Sequence, residues 1–394
     1  MHTLKTVLIL TASLALAGTA QAQAPIIIFD SGSTGALGDL VVTNDTTIVL
    51  PVDGILNYKS VTIKNNAAVG FIKNANNTPI YILSQGDVSI GGQIYISGGD
   101  GNSFGPGLGG PGGFDGGRRG VNTVPPGDGQ GPGGGAAGDQ DASNGKNSAG
   151  GGAYLTTVSN GTTNNGVTYG NAALIPLVGG SGGGGTPGNG GSGGGGAILI
   201  ASNTRIDFAN NDGNHFIDAT GGVWSTGGAY NGGSGGAVKM VAPVIAGEQR
   251  IRVYNRNGTG GAGRVRLDAS SFQGSFGSVN PDYSLSYGNM MATGLEGTLP
   301  KLELVSVAGK PLPTNSVATG FVLLPNGSSQ TQLVVVRARN FGTIVPVRVV
   351  VSPDNGTTQY FDSTVDNTGA ASSEKTVTVT IPANTPTKVF AWTR

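Results

Sequence analysis

The chain has 394 residues with 22 basic and 22 acidic side chains, and charged residues make up only 11% of it. So few charges exclude a protein that holds nucleic acid by displacing phosphate counterions, and they give no field that would steer a polyanion. The chain has no cysteine, so burial and backbone hydrogen bonds must stabilise the fold without disulfides. Its 73 glycines far exceed the usual content of about 7%.

The N-terminal residues have the pattern of a cleavable secretory leader. Met1–Lys5 is a short basic segment, and Thr6–Gly18 is an apolar stretch of about a dozen residues, too short for a membrane-spanning helix of roughly 20. Ala20-Gln21-Ala22 then supplies the small-residue pattern that signal peptidase recognises. We therefore predict a signal peptide over residues 1–22, an extracellular or cell-surface location in a bacterium, and no transmembrane span.

The mature chain begins with short strands that are β-branched or aliphatic and separated by Asn, Asp and Gly corners. Strands of four or five residues with short corners predict a coiling β-solenoid or a flattened sandwich. No helical period is present. The predicted strands are Pro25–Phe29, Asp39–Val42, Thr47–Leu50, Ser60–Ile63, Val69–Ile72, Ile80–Leu83, Asp87–Ile90 and Gln93–Ile96.

Residues 98–196 hold 39 of the 73 glycines and lack the strict three-residue repeat of collagen. The tract can be interpreted as a flexible linker. It can also be interpreted as a packed bundle of polyglycine-II helices, in which the missing β-carbons allow neighbouring backbones to approach and hydrogen-bond. We favour the packed bundle.

Three similar units follow, each a glycine cluster that leads into a strand of alternating character. They are Gly193–Ala201 (GGGGAILIA), Gly233–Ala242 (GSGGAVKMVA) and Gly260–Ala269 (GGAGRVRLDA). We expect each strand to form one rung of a solenoid, with glycine loops bulging between rungs. The prediction is thus an all-β, β-helix-like domain over 23–270, in which the insertion 98–196 leaves after Ile96 and returns at Ala197.

From residue 300 onward glycine becomes ordinary and the strands lengthen. Seven strands in about 95 residues predict an immunoglobulin-like β-sandwich over 300–394, and residues 271–299 are interpreted as a linker. The predicted strands are Leu302–Val307, Thr319–Leu324, Gln332–Arg339, Val345–Ser352, Thr358–Val365, Thr376–Ile381 and Lys388–Trp392.

Several patterns that can carry chemistry have a simpler interpretation here. Three Gly-x-Ser-x-Gly matches, centred on Ser181, Ser192 and Ser234, resemble a hydrolase nucleophile elbow but arise readily in a glycine-rich chain. Asp30-Ser31-Gly32 resembles the aspartic-protease motif without a second copy, so we interpret it as a turn. His215 has no metal-ligand partners at suitable spacing for a zinc site, and we expect it at a loop tip in Asn210–Asn214.

We expect no catalytic, cofactor-binding or metal residues and therefore not an enzyme. Structural calcium stays an alternative, since oxygen ligands are frequent in three loop segments: 99–102, 139–144 and 211–214. A carbohydrate-binding module that uses Trp224 and Tyr230 is a second hypothesis. A solenoid-type polysaccharide lyase or hydrolase is a third, and the only loose cluster for it is Arg205, Asp207, Asp212 and Asp218.

The units at Gly193–Ala201 and Gly233–Ala242 resemble a class of glycine-rich bacterial secreted proteins in which such units repeat along a β-solenoid. The glycine tract also resembles the tips of certain bacteriophage tail adhesins, where polyglycine-II bundles display receptor-binding loops. These resemblances imply a structural or adhesive scaffold outside the cell, with self-association or a glycan surface as its partner. A self-assembling extracellular filament is one form of this hypothesis.

Overall fold

The computed structural model describes residues 29–121, 124–138, 149–158, 164–209, 215–223, 231–295, 300–312, 322–354 and 357–393. The protein is all-β, and its parallel sheets form a nearly closed, barrel-like arrangement. Within the described ranges, the only helical element is a 3₁₀ turn at Asp282–Ser284. No helix in these ranges has the length and hydrophobicity to cross a membrane. The predicted signal peptide lies outside the described residues.

Fourteen parallel strands build the N-terminal body. They are β1 Asp39–Val42, β2 Thr46–Val49, β3 Ile55–Tyr58, β4 Ser60–Ile63, β5 Ala68–Ile72, β6 Ile80–Ser84, β7 Val88–Ile90, β8 Gln93–Tyr95, β9 Ala197–Ser202, β10 Arg205–Phe208, β11 Phe216–Asp218, β12 Ala237–Arg252, β13 Arg264–Asn280 and β14 Leu285–Gly288.

The strand pairings divide the body into three ladders. Ladder A contains β3, β6, β9, the first part of β12 and of β13, and β14. Ladder B contains β1, β4, β7, β10 and the middle of β12 and β13. Ladder C contains β2, β5, β8, β11 and the ends of β12 and β13. Each circuit of the chain therefore adds one strand to every ladder.

Alternation along the short strands produces the core, because every second side chain points inward and stacks on its equivalent in the next circuit. One column of ladder B consists of Leu40, Val61, Val88, Ile206, Ile245 and Phe272. Each fully buried aliphatic side chain stabilises the fold by roughly 1.5–3 kcal/mol. The columns thus hold the circuits together.

The strands of the three repeated units occupy equivalent positions in ladder A. Ile198 pairs in register with Val238, which pairs with Val265, and these strands belong to successive circuits. The two ends of the glycine tract lie side by side, because the Gly196 N–H donates to the Ile96 carbonyl at 2.7 Å.

Two parts of the body differ from prediction. Strand β3 was not anticipated, because the Asp53-Gly54 turn and Asn57 hide its short apolar pattern. Residues 271–288 were expected to be a linker, but β13 runs to Asn280 and β14 adds a further strand to ladder A. The polar sequence of this segment reflects its position in the last circuit, where only one side of each strand is covered.

The C-terminal domain has two antiparallel sheets, ordered β16-β15-β17-β20 and β19-β18-β21. Valines from both sheets form one core. Six of the seven predicted strands are present; residues 322–324 of the other are not strand, and its first part lies outside the described residues. The strands are β15 Lys301–Val307, β16 Lys310–Pro311, β17 Thr331–Arg339, β18 Ile344–Pro353, β19 Gln359–Asp366, β20 Ser372–Thr380 and β21 Thr387–Thr393.

Candidate functional site: a glycine lattice that ends in loops

The described part of the glycine tract consists of extended segments joined by backbone hydrogen bonds. The segment that leads into β9 runs antiparallel to the segment that leaves β8, and its N–H groups donate at intervals of three residues: Gly196 to Ile96 at 2.7 Å, Gly193 to Gly99 at 2.9 Å and Gly190 to Asn102 at 2.9 Å. A three-residue interval is the period of an extended threefold helix and not of a β-strand.

The same segment bonds to other neighbours with the same interval. On one side Gly194, Gly191 and Gly188 donate to Phe114, Gly117 and Gly120; on another, Gly195 and Ser192 donate to Ser234 and Asn231. A threefold helix points successive N–H groups in three directions, so it can bond to several parallel or antiparallel neighbours at once. We call this bonded assembly the glycine lattice; its main segments are 96–121, 124–138, 149–153, 179–196, 219–222, 231–236 and 260–263.

Close approach explains why these positions are glycine. A β-carbon on Gly193 would lie 2.7 Å from the Gly109 nitrogen and nearer still to the Leu108 carbonyl. Real β-carbons essentially never come within 3.0 Å of another heavy atom. Similar overlaps with backbone atoms occur at most glycines of the lattice, so a larger residue there would force the segments apart.

The three serines of the Gly-x-Ser-x-Gly matches are all fully buried in the lattice. The Ser181 hydroxyl accepts from the Gly133 N–H at 3.0 Å and contacts the Tyr169 hydroxyl at 3.1 Å. The Ser192 and Ser234 hydroxyls accept from the N–H groups of Gly101 and Ser181. These serines therefore replace missing backbone partners, and their burial leaves them without access to a substrate.

Two tyrosines pack between the lattice and the body and hydrogen-bond to the start of a lattice segment. The rings of Tyr154 and Tyr169 stack with their centroids 4.4 Å apart, and Tyr154 is buried with Leu199 and Val241 of ladder A. Their hydroxyls donate to the carbonyls of Val178 and Gly179. Burial raises the pKa of both phenols, so both remain protonated donors.

Three turns lie close together at the end of the lattice that is farthest from β8 and β9. The pairs Asn102–Gly105, Val121–Val124 and Thr186–Asn189 each close a tight reversal. The Gly188 N–H donates to the Gly120 carbonyl at 3.2 Å, which places two of these turns side by side. We call the turns at 102–105 and 186–189, together with Gly120, Val121 and Val124, the loop end. Phe104 at its surface is 92% exposed.

Most other residues singled out in the sequence have structural roles. The Gly32 N–H donates to the Asp30 carboxylate at 2.9 Å, as the predicted turn requires. The expectation for His215 is wrong: it is fully buried, because its ring packs 5.7 Å from that of Phe208 just before β11. Its Nε2 lies 2.9 Å from the Glu248 carbonyl oxygen.

The described residues do not gather the acidic clusters that the alternatives need. Asp207 lies on ladder B with Arg205 at 3.7 Å, whereas Asp218 lies on ladder C and accepts from Thr220. Asp100, in the first calcium segment, pairs with Arg256 at 3.0 Å. No group of three or more metal-ligating side chains occurs within the described ranges. Asp212, Trp224, Tyr230 and the segments 139–144 and 211–214 lie outside them.

The C-terminal domain packs against the side of the lattice, a contact that the sequence did not indicate. The Phe114 ring meets Phe390 and Trp392 edge-on, with centroids 5.9 and 6.5 Å away. Beside it, Asp115 accepts from Lys388 at 3.0 Å and from Lys73 of the body at 3.2 Å. An open, mainly apolar cavity of about 310 Å³ lies along this contact.

Asp115 is a charged centre within this contact. Burial alone would raise the pKa of its carboxyl, but Lys73 and Lys388, with the Gly109 N–H, hold the pKa below its ordinary value of 3.8. The carboxylate is therefore ionised at neutral pH and joins three parts of the chain: the body, the lattice and the C-terminal domain.

A comparison with known proteins found no matching protein family, no matching curated protein and no matching solved structure. The functional interpretation therefore depends on the geometry of this chain alone.

Proposed function

We propose that the chain is an exported structural and adhesive scaffold of the bacterial surface or its surroundings. In this proposal the parallel body is a β-solenoid, the glycine lattice is a polyglycine-II bundle, and the C-terminal domain is an immunoglobulin-like sandwich. The predicted leader over 1–22 would direct export, and no catalytic group or cofactor takes part.

The observation that carries the proposal is the three-residue interval of the lattice hydrogen bonds. Segments bonded on several sides resist bending and leave little main chain for a protease to extend. A stiff support is useful where a protein must hold short, variable turns away from its body. The loop end, with the exposed Phe104, has that placement and is the proposed adhesive surface.

Hydrogen exchange tests the stiffness on which the proposal depends. Amides of Gly190, Gly193 and Gly196 should exchange with the protection of the core strands, whereas the amide of the exposed Ser103 at the loop end should exchange rapidly. Exchange of the three glycine amides at free-peptide rates would make the lattice a flexible tether and overturn the proposal.

Export needs a separate measurement. A bacterium that produces the full chain should place it on the surface or in the medium, shortened by the leader. Retention of the unshortened chain in the cytoplasm would contradict the exported scaffold, whatever the exchange data show.

A carbohydrate-binding adhesin is the second candidate, and a notch of about 260 Å³ favours it. Tyr254 and Tyr283 line this notch together with Thr157 and Asn280, a mixture of rings and polar groups that suits a sugar. Tyr283→Ala should abolish binding on a glycan array, and Tyr287→Ala, an equally exposed tyrosine outside the notch, should not. Absence of binding by the unaltered protein would remove this candidate.

A further inference from the structure

Both ends of the parallel body present open strand edges. In the described part of the chain, β1, β2 and β3 each pair with one strand only, β4, β5 and β6. In the last circuit, the middle and end of β13 pair only with β12, and β14 pairs only with β13. Among the described residues, each end therefore has three strands that pair with another strand on one side only.

The two ends match each other in order and direction. The first circuit presents its strands in the sequence ladder B, ladder C, ladder A, as β1, β2 and β3. The last circuit presents the same sequence as the middle of β13, the end of β13 and β14. All pairings within the body are parallel, so the first circuit of one copy continues the last circuit of another without a change of direction.

The core columns also end without a cover. Leu40 and Ile48 at the first circuit, and Phe272 and Leu285 at the last, are only partly buried although they point into the core. Tyr287 ends the column of Leu56 and is 66% exposed. An added circuit would bury these side chains as the inner circuits bury theirs.

The described residues that enter and leave the body, 29–38 and 289–295, run beside the ladders and do not cover these ends. Ser31 and Ser33 run along the outside, where their hydroxyls donate to the carbonyls of Ser84 and Tyr58. After β14, the Met290 N–H donates to Asp268, back along ladder A. Phe29 is buried against Leu83 and Leu199, so it is packed on its own body.

The open strands carry few of the devices that usually prevent edge pairing: β1, β2 and β3 have four residues each, and β13 has one register shift, opposite Glu248 and Arg250. Proteins protect exposed edges with lysine, proline or bulges. The six open stretches have the sequences DLVV, TTIV, ILNY, SFQG, SVN and LSYG, in which Asp39 is the only charged residue. Val41 and Val49 beside the open edge are 58% and 68% exposed.

We propose that a second copy of this chain is the partner of both ends. The last circuit of one copy pairs with the first circuit of the next, so that β13 and β14 extend the three ladders through β1, β2 and β3. The contact joins two different surfaces, and such head-to-tail contacts propagate into filaments when rotation does not close a ring. This inference rests on the proposed scaffold function and names its partner.

The test blocks one end at a time in the purified protein. Val41→Lys with Val49→Lys places two lysines on the first edge, and Tyr287→Lys places one at the last. Each variant should weaken self-association in sedimentation by at least tenfold. Val167→Lys is the matched control, because Val167 is 67% exposed and lies in the glycine tract; it should assemble like the unaltered protein. Circular dichroism and melting temperature confirm that each variant is folded.

Mixing provides the decisive comparison. The two end-blocked variants each keep one intact end, and these ends are complementary, so an equimolar mixture should form dimers and nothing larger. An unaltered protein that stays monomeric, or end-blocked variants that still form filaments, would overturn the inference. If the lattice amides are protected while the unaltered protein is monomeric, only the head-to-tail contact fails. If the lattice amides are unprotected, the proposed scaffold function fails as well.

Discussion

Gly193→Ala is the substitution that most directly probes the glycine lattice. The new β-carbon would lie 2.7 Å from the Gly109 nitrogen and closer to the Leu108 carbonyl, and overpacking of this kind costs about 1–3 kcal/mol. Separation of the segments would also weaken the bonds from Gly193 to Gly99 and from Gly222 to Gly193, each worth roughly 0.5–1.5 kcal/mol.

The sum is a loss of roughly 2–6 kcal/mol in the free energy of unfolding. Alanine also restricts the conformations of the unfolded chain, which offsets about 0.4–1 kcal/mol of this loss in the free energy of unfolding. The net loss is roughly 1–5.6 kcal/mol. Since 1 kcal/mol changes Tm by about 2–4 °C in a domain of 150–250 residues, the melting temperature should fall by roughly 2–22 °C. Calorimetry or circular dichroism measures the change.

Gly105→Ala is the matched control within the same tract. No atom lies within 4 Å of the position that its β-carbon would take, so the substitution should be neutral or raise the free energy of unfolding by about 0.4–1 kcal/mol. Equal melting temperatures for the two variants would refute the argument that glycine is needed for close backbone approach.

Three further substitutions test other parts of the structure. Asp115→Asn should lower the free energy of unfolding by roughly 1–3 kcal/mol at pH 7. Because the folded pKa of Asp115 is below 3.8, the stabilisation by its carboxylate is present above pH 3.8 and is lost as pH falls through the folded pKa. Urea titrations should therefore show a smaller difference between the variant and the unaltered protein at pH 3 than at pH 7. Phe114→Ala should remove two edge-on ring contacts, worth about 0.5–1.5 kcal/mol each, and limited proteolysis should then release the C-terminal domain faster; an unchanged cleavage rate would contradict this docking. Ser181→Ala leaves the Gly133 N–H without its acceptor and should lower the free energy of unfolding by about 1–3 kcal/mol. A melting temperature equal to that of the unaltered protein would contradict the role of this hydroxyl as a hydrogen-bond partner within the lattice.

Strand positions in the body could be predicted because side chains determine them. Ser60–Ile63 and Ile80–Leu83 combine β-branched residues with clear corners, and the structure places β4 and β6 there. The ladder partners could be inferred only where the sequence repeats, as at Ile198 and Val238. Strand β3 was hidden, because four residues containing an asparagine carry too weak a pattern.

The candidate site could be predicted only in outline. Glycine content indicated a packed tract, but the lattice is bonded through the main chain, so no side-chain pattern records which segments become neighbours. The pair of Asp115 and Lys388 joins residues 273 positions apart, and nothing near either residue indicates the other. The expectation for His215 failed for a different reason: the polar residues 210–214 before it suggested a loop, whereas its ring is buried beside that of Phe208.

The three-residue interval of the lattice hydrogen bonds determines which insertions the glycine segments can accept. A segment extended by three residues keeps each following N–H opposite a carbonyl, and it moves a turn outward by about 9 Å. An insertion of one or two residues would rotate the remaining donors away from their acceptors. An outward and a returning segment must lengthen together, so the reach of the loop end can grow in steps of six residues while the columns of the body stay as they are.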